Sequence, residues 1–205
     1  MNDPRTVLVG AGYDAMADTW ETWSATITDH ARRAWLQRLV ELLPDGAGVL
    51  ELGCGNGSAE TAELARRFHL TGVDLSAEQL RRARARVPGA TLVHPDLTSL
   101  EVEPASLDAV CAFYVLNHVP RELLPALFER VQQWLRPGGL FLATLGASDL
   151  PGWEGEWLGV RMYFSGHAPA RNRELLSSFE LIDDEVVTIA EPEGDVSFHW
   201  VLAWR

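Results

Sequence analysis

The sequence predicts an α/β fold with a doubly wound, mostly parallel sheet that ends in an antiparallel hairpin. Between residues 49 and 145, short apolar runs alternate with stretches that have the helical period of about 3.6 residues. Such alternation produces parallel strands joined by crossover helices, which cover both faces of the sheet. Two further strand-like runs, residues 181–189 and 196–204, are separated only by a turn rich in Glu, Pro and Gly. Their short connection predicts that these two strands pair antiparallel.

The composition is that of one soluble globular domain. The chain has 205 residues, of which 47% are hydrophobic and 22% are charged, and a single core accommodates this length. The formal net charge of −12 disfavours nucleic-acid binding, which depends on clustered Lys and Arg. No apolar run approaches the ~20 residues of a membrane span, and no secretion leader is recognisable. We therefore expect a cytoplasmic protein with no nucleic-acid or membrane partner, in which Cys54 and Cys111 are both reduced.

A glycine-rich turn follows the first strand of this core. Residues 49–57 read V-L-E-L-G-C-G-N-G, and residues 58–68 have the pattern of a helix. Glycines allow backbone N–H groups to approach a ligand closely, so the turn predicts a nucleotide-like ligand at the start of this helix. A dinucleotide fingerprint would place its third glycine at Ser58, whereas here it is Gly57. The acid just ahead of the turn, Glu51, is placed where it could meet an ammonium group.

Two helices are predicted before the core. Residues 10–15 match a GxGxxA motif, but the apolar run ahead of it is too short for a strand and no second strand follows. We predict instead a helix over residues 13–26 that carries Trp20 and Trp23, and a second helix over residues 29–43.

The remaining elements follow from apolar runs and their boundaries. Ser76 and Gln79 form a capping box that begins a helix ending near Val87. Residues 146–170 interrupt the alternation because they are rich in Gly, Pro and aromatic residues. The predicted core strands are residues 49–52, 70–74, 91–93, 107–114 and 140–145, and a turn at residues 136–139 precedes the last of them. One further helix is predicted to begin at Pro120, and another to cover residues 172–179.

These motifs occur in a recognisable order. Glu51 with its glycine turn, Asp74 ending the second strand, Asp96 ending the third, the turn at residues 137–139 and the terminal hairpin follow one another. This set resembles the class I S-adenosylmethionine-dependent methyltransferases, of the small-molecule, type 11-like kind, over about residues 35–205. The resemblance implies a Rossmann-like, seven-stranded sheet. It also implies one domain over residues 1–205, with an N-terminal helical lid at 1–44, a cofactor-binding core at 45–145, and a substrate-side insertion and terminal hairpin at 146–205.

The resemblance implies S-adenosylmethionine as the cofactor, S-adenosylhomocysteine as the product, and no metal. Gly53, Cys54 and Gly55 would hold the methionine end of the cofactor. Asp74 would accept hydrogen bonds from both ribose hydroxyls, a task that suits a carboxylate because it offers acceptors only. The other implied cofactor-binding residues are Glu51, Leu75, Asp96 with the Leu97 backbone at the adenine, Phe113 and Tyr114 along the adenosine and methionine, and Tyr13 as a closing aromatic side chain.

The chemistry of such an enzyme depends more on alignment than on reactive side chains. A sulfonium already carries an activated methyl group, so the acceptor, the methyl group and the sulfur must be held in line. A general base is needed only if the acceptor must lose a proton. His118 and His167 are the two candidates for this base, and a structural role for each is the alternative.

Tryptophans outside the core predict where the acceptor binds. Of the eight tryptophans, Trp20, Trp23, Trp153 and Trp157 fall in segments that the family uses as lid and substrate wall. Aromatic walls suit a flat or apolar molecule. We therefore expect a small, apolar or aromatic metabolite as the acceptor, methylated on O, N or C. The alternative is that these rings only cover the core.

Other functions remain open at this point. A protein or peptide acceptor would require an open acidic groove, and a non-catalytic binding protein would keep the glycine turn but lack an acceptor pocket. An NAD-dependent oxidoreductase is disfavoured by the early third glycine and by the terminal hairpin. Residues 113–118 lack the Asn-Pro-Pro-aromatic signature of methylases that act on nucleic-acid or protein amides and amines, and the magnesium ligands of the catechol type are not found. A monomer and a homodimer are both compatible with the sequence.

Overall fold

A computed structural model describes residues 3–94, 96–97 and 99–205 of the chain. Within these residues, seven strands form one sheet and two form a small separate sheet. The large sheet contains β1 (Gly48–Leu52), β2 (His69–Val73), β3 (Thr91–Val93), β4 (Leu107–Ala112), β5 (Leu135–Gly146), β8 (Glu180–Glu191) and β9 (Gly194–Trp204), and the small sheet contains β6 (Leu150–Trp157) and β7 (Val160–Gly166).

The strand order of the large sheet is β3-β2-β1-β4-β5-β9-β8. β1 pairs in parallel with both β2 and β4, and β4 pairs in parallel with β5. β9 runs antiparallel between β5 and β8. The direction of winding reverses between β1 and β4, and such a reversal leaves a crevice at the carboxyl ends of the strands. The predicted mostly parallel, seven-stranded sheet with an antiparallel terminal hairpin is confirmed.

Helices surround the large sheet. In the described part of the chain they are α1 (Pro4–Ala15), α2 (Ala17–Ser24), α3 (His30–Leu42), α4 (Ala59–Arg67), α5 (Ala77–Arg86), α6 (Leu124–Trp134) and α7 (Pro169–Leu175), with 3₁₀ turns at Leu116–His118 and Arg121–Leu123. Asp29, Ser58 and Ser76 cap α3, α4 and α5, because each side chain accepts a hydrogen bond from the backbone N–H three residues on. The starts predicted for these three helices are confirmed to within one residue.

Alternate residues of the central strands pack into two hydrophobic clusters on opposite faces of the sheet. On β4, Val110 belongs to a cluster that includes Phe128 of α6. Its neighbour Cys111 belongs to the other cluster, with Trp35 of α3 and Trp200 of β9. Because successive side chains of a strand point to opposite faces, both faces of β4 are buried. The packing on both faces fixes the position of the carboxyl ends of the strands.

The first helix was not predicted. α1 covers the GxGxxA motif at residues 10–15, and α2 begins after Met16, whereas one helix over residues 13–26 was expected. A Cβ added at Gly12 would lie 2.4 Å from the Sδ atom of Met162 on β7. This glycine therefore allows α1 to pack closely against β7. Helix packing accounts for a motif that resembles a ligand-binding turn.

The segment that interrupts the strand-helix alternation forms a hairpin. β6 and β7 pair antiparallel, with Trp153 opposite Phe164, in a segment for which no helix or strand had been predicted. The turn expected at residues 136–139 lies within β5, where its pairing with β4 is irregular. The helix predicted from residue 172 begins at Pro169. Within the described residues, no helix is long and apolar enough to cross a membrane.

Candidate active site

A cavity of about 910 Å³ lies at the carboxyl ends of the central strands. Its base includes Gly53 after β1, Asp74 after β2 and Phe113 after β4, and α1, α2 and the β6–β7 hairpin contribute to its wall. This is the crevice expected where the winding of an open sheet reverses. The predicted site residues that line the cavity are Tyr13, Trp20, Trp23, Gly53, Cys54, Gly55, Asp74, Leu75, Asp96, Leu97, Phe113, Tyr114, His118, Trp153 and Trp157.

The glycine turn has the backbone geometry that requires glycine. Gly53, Gly55 and Gly57 have φ angles of +70°, +53° and +76°, a region that side chains with a Cβ rarely adopt. A Cβ added at Gly53 would lie 2.6 Å from the Val115 side chain, whereas one at Gly55 would meet no atom within 4 Å. Gly55 therefore borders the cavity, and its backbone is open to close approach by a ligand.

Asp74 is held in place by backbone donors at the end of β2. One carboxylate oxygen accepts a hydrogen bond from the Gly55 N–H at 2.8 Å, and the other accepts from the Ser76 N–H at 2.9 Å. Burial raises the pKa of this carboxyl, and the two hydrogen bonds oppose that rise. Each oxygen keeps a further lone pair. The carboxylate can therefore accept hydrogen bonds from a ligand in the cavity.

Asp96 and Leu97 lie beyond the end of β3, and both are buried and line the cavity. β3 pairs in parallel with β2, so the carboxyl ends of the two strands lie side by side. Asp74 and Asp96 therefore follow neighbouring strands, as the ribose and the adenine of one bound nucleoside would require.

Glu51 does not line the cavity; it lies beneath the turn. Its side chain is fully buried, accepts a hydrogen bond from the Thr61 hydroxyl at 3.1 Å, and lies 3.7 Å from the guanidinium of Arg32. Burial raises the pKa of Glu51 to about 7, although Arg32 and Thr61 act to lower it. The structure therefore places Glu51 where it ties α3 and α4 to the turn, and not where it faces a ligand directly.

Phe113 and Tyr114 follow β4, and the backbone of Tyr114 is strained. Tyr114 has a φ of +56°, which is rare for an aromatic residue and is typical of functional sites. Its backbone N–H donates to the Thr144 hydroxyl at 2.5 Å, and its own hydroxyl donates to the Asp29 carboxylate at 2.6 Å. The guanidinium of Arg32 lies 4.9 Å from the centre of the Phe113 ring. These contacts fix both side chains at the cavity.

Tyr13, which is half-buried, and His118, which is buried, form a hydrogen-bonded pair in the cavity wall. The Tyr13 oxygen lies 2.8 Å from Nε2 of His118, and Nδ1 of His118 lies 3.0 Å from the Tyr163 carbonyl. A carbonyl only accepts, so Nδ1 carries the hydrogen, and Nε2 accepts from the Tyr13 hydroxyl. Burial lowers the pKa of His118 to about 4. The imidazole is therefore neutral at pH 7, and its two nitrogens are already paired.

His167, the other candidate base, is not among the residues that line the cavity. Its backbone carbonyl accepts a hydrogen bond from the Asn172 amide at 3.3 Å. Burial lowers the pKa of its imidazole, and the charge of Arg121 lowers it further. The structure brings His118, and not His167, to the cavity. A general-base role for either histidine stays a prediction.

The predicted tryptophans form an aromatic wall. Trp20, Trp23 and Trp157, here called the Trp cluster, have ring centres 5.2 to 5.7 Å apart. Trp153 lies beside Phe164, with 5.7 Å between the ring centres. Such separations are favourable for aromatic contacts. The Trp cluster joins α2 to the β6–β7 hairpin, so these rings both cover the cavity and line it.

An ionic network holds the α2 part of this wall against α5. The guanidinium of Arg82 lies 2.5 Å from Asp18, 2.7 Å from Glu21 and 2.8 Å from Glu78. Its side chain is only 14% exposed. Asp18 and Glu21 belong to α2, whereas Arg82 and Glu78 belong to α5. Side chains from the two helices therefore meet around one arginine.

Several polar residues of the cavity were not predicted. The side-chain amide atoms of Gln79 and the Oδ1 atom of Asn117 are buried and have no hydrogen-bond partner among the described residues, yet both residues line the cavity. Buried polar atoms are nearly always paired, so these atoms are suited to bind a ligand. Arg32 and Glu191 also line the cavity. A single polar residue in a helix or at a strand end carries no sequence signal that could have identified it.

The part of the chain that the structure describes contains no group of three or more His, Cys, Asp or Glu side chains that could hold a metal ion. The predicted absence of a metal stays a prediction.

Comparisons with known proteins give a consistent result. The family described as a methyltransferase domain matches residues 49–139. The tuberculostearic acid methyltransferase of Mycobacterium tuberculosis is 31% identical over 62% of this chain and 30% of its own length. The trans-aconitate 2-methyltransferase of Rhodopseudomonas palustris is 37% identical over 50% of this chain and 40% of its own length. The chain thus spans less than half the length of both relatives.

A solved structure matches the whole fold. The 1,6-didemethyltoxoflavin-N1-methyltransferase of Burkholderia thailandensis, with 1,6-didemethyltoxoflavin and S-adenosylhomocysteine bound, superimposes with a TM-score of 0.74. The match covers 100% of this chain and 91% of the other, at 20% identity. The matched domain, this fold and the order of the motifs agree with one another, and all three support the predicted family, enzyme class and cofactor. In its matched domain and in its fold, this chain is similar to the class I S-adenosylmethionine-dependent methyltransferases.

Proposed function

We propose that this chain binds S-adenosylmethionine in the cavity and transfers its methyl group to a small, largely apolar or aromatic metabolite. The observation that carries the proposal is the continuity of one cavity, which joins the glycine turn and Asp74 to the Trp cluster. One end of this cavity suits a nucleoside and the other suits a flat acceptor.

The residues at the first end fit the cofactor. Gly55 leaves space where a Cβ would stand, and Asp74 keeps acceptor capacity for the ribose hydroxyls. The unpaired amide atoms of Gln79 and Asn117 offer further hydrogen-bonding groups. S-adenosylmethionine would supply a methyl group on a sulfonium, which is displaced in line by the acceptor atom.

The residues at the second end would position the acceptor and exclude water. Tyr13 is fixed by its hydrogen bond to His118, and Trp20 packs edge-on against Tyr13 with 5.5 Å between the ring centres. A low pKa makes His118 a weak base, because its neutral form has little affinity for a proton at pH 7. We therefore assign His118 the role of holding Tyr13. Alignment of the acceptor then supplies most of the rate enhancement.

The aromatic side chains that border the cavity support a small-molecule acceptor. A protein or peptide acceptor would require an open acidic groove, whereas aromatic rings from α2 and the β6–β7 hairpin border this cavity. The named relatives act on acceptors as different as trans-aconitate and a toxoflavin precursor, so the methylated atom is left as O, N or C. In the same proposal, residues 1–44 form the lid and residues 146–205 form the acceptor side.

Calorimetric titration tests the cofactor assignment. We expect S-adenosylmethionine and S-adenosylhomocysteine to bind with micromolar affinity, and Asp74→Asn to weaken binding by about 10- to 100-fold, because two charge-assisted hydrogen bonds are lost. Asp195→Asn, which alters an exposed acid near the start of β9, is the matched control and leaves affinity unchanged. Tighter binding of NAD than of either ligand, or no binding of either, would overturn the proposal.

Transfer itself is tested with S-adenosylmethionine labelled on its methyl group and a panel of small aromatic acceptors. We expect labelled product with the wild type and none with Asp74→Asn at a cofactor concentration below the variant's Kd. Binding of the cofactor without transfer to any acceptor of the panel would instead favour the non-catalytic binding protein.

A further inference from the structure

Glu191 places a carboxylate on the acceptor side of the cavity. It is the last residue of β8, it is half-buried, and it lines the cavity. β8 is the outermost strand on the side of the sheet away from β2, which carries Asp74. Glu191 is therefore separated from the residues assigned to the ribose, and it approaches the cavity from the terminal hairpin.

The charge of Glu191 acts on two tyrosines that face the same space. Burial raises the pKa of the Tyr13 hydroxyl, and the charges of Asp74 and Glu191 add to this effect. The pKa of Tyr114 is likewise raised by burial, by Asp29 and by Glu191. Electrostatic effects of this kind require proximity. Glu191, Tyr13 and Tyr114 also line the same cavity, so this carboxylate and the two tyrosines border one space.

Among the described residues, no Arg or His side chain forms an ion pair with Glu191, and no group donates a hydrogen bond to its carboxylate. Burial raises the pKa of Glu191, and the charge of Glu193 raises it further. Arg32 and Arg33 of α3 also line the cavity, and Arg32 lies 3.7 Å from both Glu51 and Glu60. A partly buried carboxylate without a partner is costly, so a cation supplied by a ligand would stabilise it.

Aromatic rings complete the environment of this carboxylate. Glu193, two residues further along the same hairpin, accepts a hydrogen bond from the Trp23 indole N–H at 2.9 Å. This contact ties the hairpin to the Trp cluster, and Trp20 of that cluster contacts Tyr13. Aromatic faces together with a carboxylate are the chemistry that recognises ammonium and guanidinium groups.

We propose that the acceptor carries a cationic nitrogen group, which binds between the Glu191 carboxylate and the rings of Tyr13 and the Trp cluster. This inference rests on the proposed function, since it assumes that the acceptor occupies this side of the cavity. A protonated amine has no lone pair to receive a methyl group. The cation that Glu191 holds is therefore not the methylated atom, and it orients the acceptor so that another atom faces the cofactor.

The test uses three ligands that share one ring and differ in charge: tryptamine, indole-3-propionamide and indole-3-propionate. Their affinities are measured by calorimetry with and without saturating S-adenosylhomocysteine. We expect tryptamine to bind about tenfold more tightly than the neutral amide, and the propionate to bind most weakly. Equal affinity for the three ligands, a preference for the propionate, or no binding of any of them would overturn the inference.

Two variants assign the preference to Glu191. Glu191→Gln is expected to lower tryptamine affinity to that of the amide and to leave amide and S-adenosylhomocysteine affinities unchanged. Glu191→Lys is expected to reverse the order, so that the propionate binds most tightly. Asp195→Asn, with the same loss of one charge from the hairpin, retains the wild-type order. Thermal unfolding of each variant verifies that the fold is kept.

The two proposals fail in different ways. If the tryptamine preference survives in Glu191→Gln, the inference is wrong even when S-adenosylhomocysteine binds normally. If S-adenosylhomocysteine does not bind the wild type while the preference depends on Glu191, the cofactor assignment fails and the cation site stands.

Discussion

The Tyr13 hydroxyl donates a hydrogen bond to Nε2 of His118 over 2.8 Å, and this bond joins α1 to the 3₁₀ turn after β4. Tyr13 belongs to α1, and His118 lies 105 residues further along the chain. The bond therefore connects a helix that borders the cavity to the end of the central sheet.

Tyr13→Phe is expected to destabilise the protein by about 1–3 kcal/mol, because it leaves Nε2 of His118 buried without a donor. Urea unfolding measures the change. Tyr163→Phe is the matched control, since the Tyr163 hydroxyl is buried without a partner among the described residues, and its removal should cost little or stabilise. Equal losses in the two variants would show that the Tyr13–His118 bond contributes nothing specific.

His118 should make stability depend on pH. Burial lowers its pKa to about 4 in the folded protein, while the unfolded chain binds this proton near the ordinary value of about 6.5. As pH falls through this window, the unfolded state gains the proton first, so stability that is fully present above about pH 7 is lost toward pH 4. The loss is on the order of 3 kcal/mol.

The His118→Gln variant separates the pH dependence caused by His118 from that caused by other titratable groups. Glu51 acts in the opposite direction, because its raised pKa, about 7, removes stability as pH rises. The measured quantity is therefore the difference in free energy of unfolding between wild type and His118→Gln, followed from pH 4 to pH 8. We expect the difference to favour the wild type increasingly up to about pH 7 and then to level off. A flat difference would contradict a buried, neutral His118.

Gly55 of the glycine turn can be compared with Gly138 of β5, because both residues have a positive φ angle. Gly55 and Gly138 have φ angles of +53° and +75°, and a Cβ at either would meet no atom within 4 Å. Alanine at either position should cost about 1 kcal/mol of stability. Gly55 lines the cavity and Gly138 does not. We expect Gly55→Ala alone to weaken S-adenosylhomocysteine binding, by about tenfold or more; a similar effect of Gly138→Ala would assign the change to backbone strain.

The ionic network around Arg82 should control how firmly α2 is held against α5. Arg82→Met removes the contacts to Asp18 and Glu21 of α2, so we expect backbone amides of α1 and α2 to exchange hydrogen about three- to tenfold faster. Arg81→Met is the control, because Arg81 is exposed and bonds Glu78 within its own helix. Equal exchange in both variants would mean that the contacts of Arg82 do not hold α1 and α2 in place.

The sequence predicted the parts of the site that obey local rules. Gly53, Gly55 and Asp74 were identified because a turn with positive φ needs glycine and because an acid ends a strand. The tryptophans were identified because they fall outside the core pattern. These signals are confined to short stretches of chain, so they could be read without the fold.

The parts that were missed depend on distant contacts. Gly12 lies within α1 because Met162 fills the space beside it, and Gln79 and Asn117 become unpaired only when the cavity forms. Glu51 was placed near the ligand by its position before the turn, but its strand buries it among Thr61 and Arg32. Tertiary packing decided each of these outcomes, and no local pattern encodes it.

A crystal structure of the protein with S-adenosylhomocysteine should be determined first. We expect both ribose hydroxyls within about 2.6–3.2 Å of the Asp74 carboxylate, the adenine beside Asp96 and Leu97, and the sulfur directed toward Tyr13 and the Trp cluster. A ligand bound elsewhere, or a ribose that does not reach Asp74, would contradict the assignment of this cavity as the methyl-transfer site.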